Sequence, residues 1–283
     1  MSPIFYIAIL ILLSQWCLSD TVYNNVPDSL PINVPSVGPE AQSLTQFGNL
    51  VQIDPSTSQC ALSATVVLSA QAALSDFPTY PELGWYWNIT ISFYNVDQEE
   101  ICDPLLELPA IYTQTTDVFV PWRPEHDPSC PGYDWKDSDG NCHSGVAFEA
   151  SFEIPFDTVH FSPVMVVGIS FNTQTAGPQP VGVAGPYDSL NIGLSISEPS
   201  EGSNAINGTA FVNSTNPSTY NDGGAGGVGI FRIDYDWFPY TAGLTLYADS
   251  CPSPPVCTSA RKRRSNVILA SNAISTVAQG IIP

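Results

Sequence analysis

Polar and apolar positions alternate with a period of two over several stretches of this chain, the signature of half-buried β-strands. The clearest stretch is Trp85 to Val96. Trp85, Trp87, Ile89, Ile91 and Phe93 fall on one side, and Tyr86, Asn88, Thr90, Ser92 and Tyr94 on the other. The first set predicts a core face and the second a wet one. Val146, Phe148, Ala150, Phe152 and Ile154 repeat the pattern with Glu149 and Glu153 outward, and Leu190, Ile192, Leu194 and Ile196 form a third inward set. Ser63 to Ala70 (SATVVLSA) and Ile111 to Val120 are rich enough in strand formers to add two more strands, and Leu244 to Tyr247 makes the last. Pro163 to Phe171 (PVMVVGISF) is apolar at odd and even positions alike, which places it in mid-sheet with both faces covered. In IFRIDY, Phe231, Ile233 and Tyr235 are expected in the core, with Arg232 and Asp234 outside.

No window before residue 260 has the 3.6-residue period of an amphipathic helix. Strands separated by turn signals therefore predict an all-β fold, a single β-sandwich or jelly-roll domain over residues 20–250 with an extended N-terminal arm. The arm is Asp20 to Gln46, rich in Pro, Asn and Ser and without period. Ser197 to Asp222 reads as a long polar connection. The glycine run 223–229 precedes a strand rather than a helix, so it lacks the context of a phosphate-binding loop, and close backbone packing is the plainer expectation.

Both ends of the chain differ from this domain. Ile4 to Leu13 (IFYIAILILL) is an apolar run too short to span a bilayer, followed by polar residues and by Cys17-Leu18-Ser19. Residues 1–19 thus read as a secretory signal peptide, and the chain is expected outside the cell with no membrane span. Residues 251–264 form a Cys/Pro/Ser linker ending in Arg261-Lys262-Arg263-Arg264, the pattern cut by furin-like convertases, and 265–283 form an uncharged C-terminal peptide.

In an oxidising compartment, the six cysteines left after the leader argue for three disulfides rather than a metal site. Fifteen pairings are possible. Sequence proximity favours Cys130 with Cys142 and Cys251 with Cys257, leaving Cys60 with Cys102. Secretion also gives meaning to three sequons, at Asn88, Asn207 and Asn213, of which Asn88 falls on the wet face of its strand.

The charge is lopsided: the chain carries −20, and all four arginines and lysines of the tail lie beyond residue 260. Before the tail, 27 acidic side chains face Arg123, Lys136 and Arg232 alone. Such a surface repels nucleic acid and anionic lipid and attracts Ca²⁺ or basic partners.

The chemically richest stretch is Pro121 to Gly145, PWRPEHDPSCPGYDWKDSDGNCHSG, lying between two predicted strands. Pro131, Gly132 and Asp139-Gly140 are turn formers, so the segment between Cys130 and Cys142 should double back. A disulfide there would contribute about 3 kcal/mol on the chain-entropy account. Asp134, Asp137, Asp139 and Asn141 offer oxygen ligands for a weak calcium site, although Trp135 and Val146 stand where an EF-hand would have its first and last ligands. Trp122, Tyr133 and Trp135 are the candidates for stacking on a sugar. Glu149 and Glu153, about 13 Å apart along a strand, are too far apart for a retaining glycosidase pair. Neither a nucleophile elbow nor a zinc-protease motif nor a P-loop occurs. His126 beside Asp127, and His143 beside the predicted disulfide, are the groups placed for acid–base work.

The segments VPDSLPINVPSVGPEA, C-PGYDW-D-G-C-SG, FNTQTAGPQPVG, GPYDSLN and YNDGGAGGVGIFRID resemble those of a group of uncharacterised secreted proteins. That likeness implies a single secreted β domain with a 130–142 bridge and transfers no catalytic residue. In composition the chain is similar to the acidic organic matrix proteins of calcified skeletons and shells. The expected function is accordingly a non-enzymatic acidic glycoprotein of an extracellular matrix, associating with calcium or mineral. A carbohydrate-binding module on a matrix polysaccharide is the alternative, and a glycoside-active enzyme the lesser third.

The tail makes the first testable point. Cutting after Arg264 removes 265–283, so intact mass of the protein recovered from its extracellular source should end at or before Arg264, and a C-terminus at Pro283 would refute the processing.

Overall fold

The computed structural model describes residues 19–56, 59–97, 105–206, 210–214 and 229–249. In chain order the elements begin with β1 (Asp20–Asn24), β2 (Ser36–Val37), a four-residue helix α1 (Pro39–Gln42), β3 (Leu44–Gln52), β4 (Cys60–Ala70), β5 (Gly84–Asn95) and β6 (Leu105–Leu106). They continue with β7 (Tyr112–Pro121), β8 (Trp135–Lys136), β9 (Cys142–His143), β10 (Val146–Glu153), β11 (Val164–Ser170) and β12 (Leu190–Ser195). The last are β13 (Ser203–Asn204), β14 (Ala210–Ser214), β15 (Phe231–Asp234), β16 (Thr241–Ala242) and β17 (Leu244–Asp249). The chain divides after Cys251, and the second unit, 252–283, lies wholly outside the described residues.

The strands form a β-sandwich. One sheet runs β1-β17-β4-β12-β16, with β10 pairing β4 and β2 pairing β12; the other runs β6-β15-β14-β3-β11-β5-β7, with β13 pairing β3. All of these pairs are antiparallel. The inner faces obey the period of two: Ala64, Val66, Leu68 and Phe152 from the first sheet meet Phe47, Ile89, Ile91, Phe93, Met165 and Val167 from the second, all buried. Burying a large apolar side chain is worth about 1.5–3 kcal/mol, so this layer is the main driving force for the fold.

The second sheet also carries apolar side chains on its outer face. Leu50, Tyr94, Val164, Val166, Phe211, Phe231 and Ile233 form a separate buried cluster there. Its existence explains why β11 is buried at every position, as the unbroken apolar run predicted. It also corrects the expectation of a wet face on β5, because Ser92 and Tyr94 are buried while Tyr86 and Asn88 remain exposed. Phe231 packs edge-on against Tyr94 at 5.0 Å, in the space left by Gly168, where a Cβ would come within 3.2 Å of the Phe231 ring.

Both faces of β15 are covered: Phe231 and Ile233 are buried in the same second layer, as expected, but the other face is buried too. Val212 is opposite Arg232, so the two side chains share the inner face, and Arg232 is only 1% exposed instead of lying outside. Tyr235, expected inside, is 64% exposed because the strand has already ended in a 3₁₀ turn, Tyr235–Trp237. Ile196, expected inward, is likewise 62% exposed, one residue beyond the end of β12. The predicted polar connection 197–222 contains β13 and β14, the latter pairing with β3 and β15.

The N-terminal arm is more ordered at its ends than its composition predicts. β1 pairs β17, and β3, which begins inside the expected arm, sits in the middle of the second sheet. Between them the chain lies on the first sheet, held by the amide of Ala147 donating to Ile32 O at 2.9 Å and that of Leu194 to Pro35 O at 2.7 Å.

Two buried asparagines tie these parts together. Asn49 on the inner face of β3 accepts from the amide of Ala242 at 2.7 Å and donates to Ala242 O at 2.8 Å. Asn25, just after β1, donates to Ala242 O and Thr241 Oγ1, both at 2.9 Å, and accepts from the amide of Leu244 at 2.7 Å. Backbone groups inside a core must be paired, and here two side chains do the pairing. Asn49→Leu leaves the Ala242 amide unsatisfied and should lower the unfolding free energy in denaturant titration by about 2–3 kcal/mol. The surface change Gln52→Ala should shift it by less than about 0.5 kcal/mol.

Candidate functional site

The stretch 121–145 crosses from the end of β7, the outermost strand of one sheet, to the start of β10 in the other. Its first anchor is Arg123, 6% exposed, whose Nε donates to Gln71 O at 2.6 Å and Nη1 to Pro124 O at 2.8 Å, while its amide donates to Ala72 O at 3.1 Å. Glu125 next accepts from the amide of Ser75 at 3.1 Å and from its hydroxyl. These contacts bind the entrance of the loop to the segment that follows β4.

The remainder is a stapled hairpin. β8 pairs β9, and Cys130 is bonded to Cys142 with Cα atoms 5.6 Å apart, as the spacing predicted. Gly132 and Gly140 take positive φ, 58° and 90°, which is why glycine suits these turns. Cys60 is also disulfide-bonded. Its expected partner Cys102 lies outside the described residues, as do Cys251, Cys257, Asn207 and the basic run Arg261, Lys262, Arg263 and Arg264.

Asp137 is the electrostatic centre of the hairpin. Its Oδ1 accepts from the amides of Asp139 at 2.9 Å and Asn141 at 2.8 Å; its Oδ2 accepts from Asn141 Nδ2 at 3.2 Å and His143 Nε2 at 2.7 Å. The His143 contact, followed by the Asn141 amide, holds its carboxyl far below the usual Asp range. Asp127 is similarly lowered by the hydroxyl and amide of Ser129. With four donors already on Asp137, its lone pairs serve the turn. Among the described residues the carboxylates of Asp134, Asp137 and Asp139 do not form a three-ligand group. The cluster that does bring three potential ligands within 4.8 Å of one another is Cys60, Asp157 and His160. Because Cys60 is bridged, it has no thiolate to give a metal.

The three candidate stacking residues go to three different places. Tyr133 is 82% exposed in the turn that precedes β8, edge-on to His126 at 6.2 Å. Trp135 is only 4% exposed and donates from Nε1 to Gly145 O at 3.0 Å, so it is the hairpin's own core and not a ligand platform. Trp122 is half-buried, stacked on Phe77 at 6.2 Å and donating to Pro81 O at 2.9 Å. It joins Tyr80 and Trp85 in an aromatic cluster that continues to Trp87, itself stacked on Tyr187 at 4.0 Å. The alternation of Trp85 and Trp87 with isoleucines pointed to burial; the partner Tyr187, a hundred residues on, carried no local signal.

Of the sequons, Asn88 is exposed on β5 as its phase required. Asn213 is 6% exposed within β14, and its Oδ1 accepts from the amide of Gly229 at 2.9 Å. The fold therefore uses Asn213 as a structural amide. Glu149 and Glu153 are exposed, as expected of solvated carboxylates.

The hairpin should respond to acid. Its carboxyl is depressed on folding, so the stability from Asp137 is complete above the ordinary Asp range and is lost as pH falls through the lower folded value. Melting temperatures measured from pH 5 down to pH 2 should fall more steeply for the wild type than for Asp137→Asn, and parallel curves would refute the role given to Asp137.

Compared with protein-family models, with curated proteins and with solved structures, the chain matches none, so its function has to be argued from its own surface.

Proposed function

We propose that the chain is a secreted acidic glycoprotein that works as a non-catalytic component of an extracellular matrix, gathering calcium or mineral at its surface. The observation that carries this reading is the fate of the basic residues. Of the three that accompany the 27 acids before residue 261, Arg123 and Arg232 are buried, 6% and 1% exposed. Among the described residues Lys136 is then the exposed Lys or Arg, and its Nζ donates to Ser129 Oγ. A sandwich whose cations face inward presents solvent with an almost uninterrupted negative potential, which concentrates divalent cations and basic partners.

This favours diffuse attraction over chelation. Tight Ca²⁺ sites gather six to eight oxygens around one point, whereas the best candidate carboxylate, Asp137, is engaged by its own turn. The carbohydrate-binding alternative retains exposed Tyr133 but loses Trp135 to the hairpin core, and is correspondingly less favoured.

Calorimetric titration with Ca²⁺ should give binding at many equivalent, millimolar sites, fading as salt rises from about 0.1 M to 1 M and the screening length drops from about 10 Å to 3 Å. A single salt-resistant site would overturn the diffuse mode. Silence at millimolar Ca²⁺ together with a clear hit on a glycan array would overturn the matrix reading in favour of the carbohydrate module.

A further inference from the structure

The outer face of the β5-β7 hairpin carries an apolar feature that neither hydrophobic cluster uses. Tyr86 and Phe119 are directly opposite each other, with ring centroids 5.4 Å apart at 66°, and are 62% and 43% exposed. The next pair along the same face is Asn88 with Asp117, and the next Thr90 with Thr115, whose hydroxyls are bonded at 2.8 Å. Residues two apart on a strand share a face about 6–7 Å apart. The sequon Asn88-Ile89-Thr90 is thereby preceded, on its own face, by an exposed aromatic pair.

We propose that Asn88 carries an N-glycan whose first N-acetylglucosamine folds back onto Tyr86 and Phe119. This rests on the reading of the chain as secreted. In the transfer, the Asn88 amide nitrogen forms a bond to C1 of a lipid-linked oligosaccharide as the C1–O bond to its pyrophosphate breaks; the lipid pyrophosphate leaves, and the nitrogen's proton passes to the transferase's base. The sugar is then tethered one residue pair from the rings. One face of the pyranose is lined by C–H bonds and suits the flat apolar surface of Tyr86, while its hydroxyl and acetamido groups stay beside Asp117, which supplies acceptors. Stacking takes the exposed rings out of water without a change in the protein. It also places a bulky polar group beside β7, the terminal strand of its sheet among the described residues, a position at which strand addition is a hazard.

The test uses the full chain produced with its own leader in a secretory eukaryotic culture, recovered from the medium and trimmed enzymatically to one N-acetylglucosamine per site. Peptide mapping should find Asn88 occupied. Asn88→Gln should lower Tm by about 2–4 °C relative to the trimmed wild type. In a Tyr86→Ser background the same change should cost less than about 1 °C. The N-acetyl methyl proton of the Asn88 sugar should be moved upfield by the rings in the wild type and return to its usual position in Tyr86→Ser. An unshifted methyl signal, or a Tm difference that survives Tyr86→Ser, overturns the proposal. Secreted protein with Asn88 unoccupied overturns this inference alone, whereas a chain retained in the cell without glycan overturns the secretion reading as well.

Discussion

The backbone around Ala242 lies inside the sandwich, and the arrangement of the domain follows from the need to pair it. Ala242 stands opposite Leu194 of β12, and the amide of the next residue, Gly243, donates to Gly193 O at 2.9 Å. The amide and carbonyl of Ala242 itself are met by Asn49 from the centre of the opposite sheet and by Asn25 from the end of the first strand. Two amides thereby join three distant parts of the sequence at one point. Apolar packing would tolerate some sliding of one sheet over the other; paired amides in a low-dielectric interior do not. Tyr23 next door is fully buried, and its hydroxyl donates to Asn204 at 2.7 Å, so the same region links β1 to β13 on the second sheet.

The second organising feature is an asymmetric sheet. Where the first sheet is partly covered by the N-terminal arm, the second buries a complete row of outward side chains from β3, β11, β14 and β15. Its other end, the β5-β7 hairpin, stays open to solvent and bears the sequon. Interior and exterior thus change along single strands: β5 is wet at Tyr86 and Asn88 and dry at Ser92 and Tyr94 on the same face. The exposed end of the sheet is consequently the end available for modification.

The fold separates charge by sign. Arg123 is used to fasten the 121–145 loop to the end of β4, and Arg232 is taken into the interior on the same face as Val212. Carboxylates that remain outside close their own turns, as Asp127 and Asp137 do, fasten a distant segment, as Glu125 does at Ser75, or face water, as Glu149 and Glu153 do. Net repulsion among them works against compactness, and the large two-layer apolar core offsets it.

The sequence alone determined the β class, the double burial of β11, the exposure of Asn88 and the 130–142 bridge, because each depends on a local quantity: a period of two, an unbroken apolar run, or a short loop between cysteines. β3 escaped notice because Gly48 and Asn49 interrupt its pattern, and both are explained only by partners far away. A Cβ on Gly48 would stand 2.3 Å from Val167 O, and Asn49 serves Ala242. Tertiary structure likewise decided that Arg232 and Asn213 are inside, since only the neighbouring strands fix which face of β14 and β15 meets the core. It decided the separation of Trp122, Tyr133 and Trp135 for the same reason. An aromatic residue reads alike in sequence whether it caps a hairpin core or faces solvent, and only the packing around it distinguishes the two.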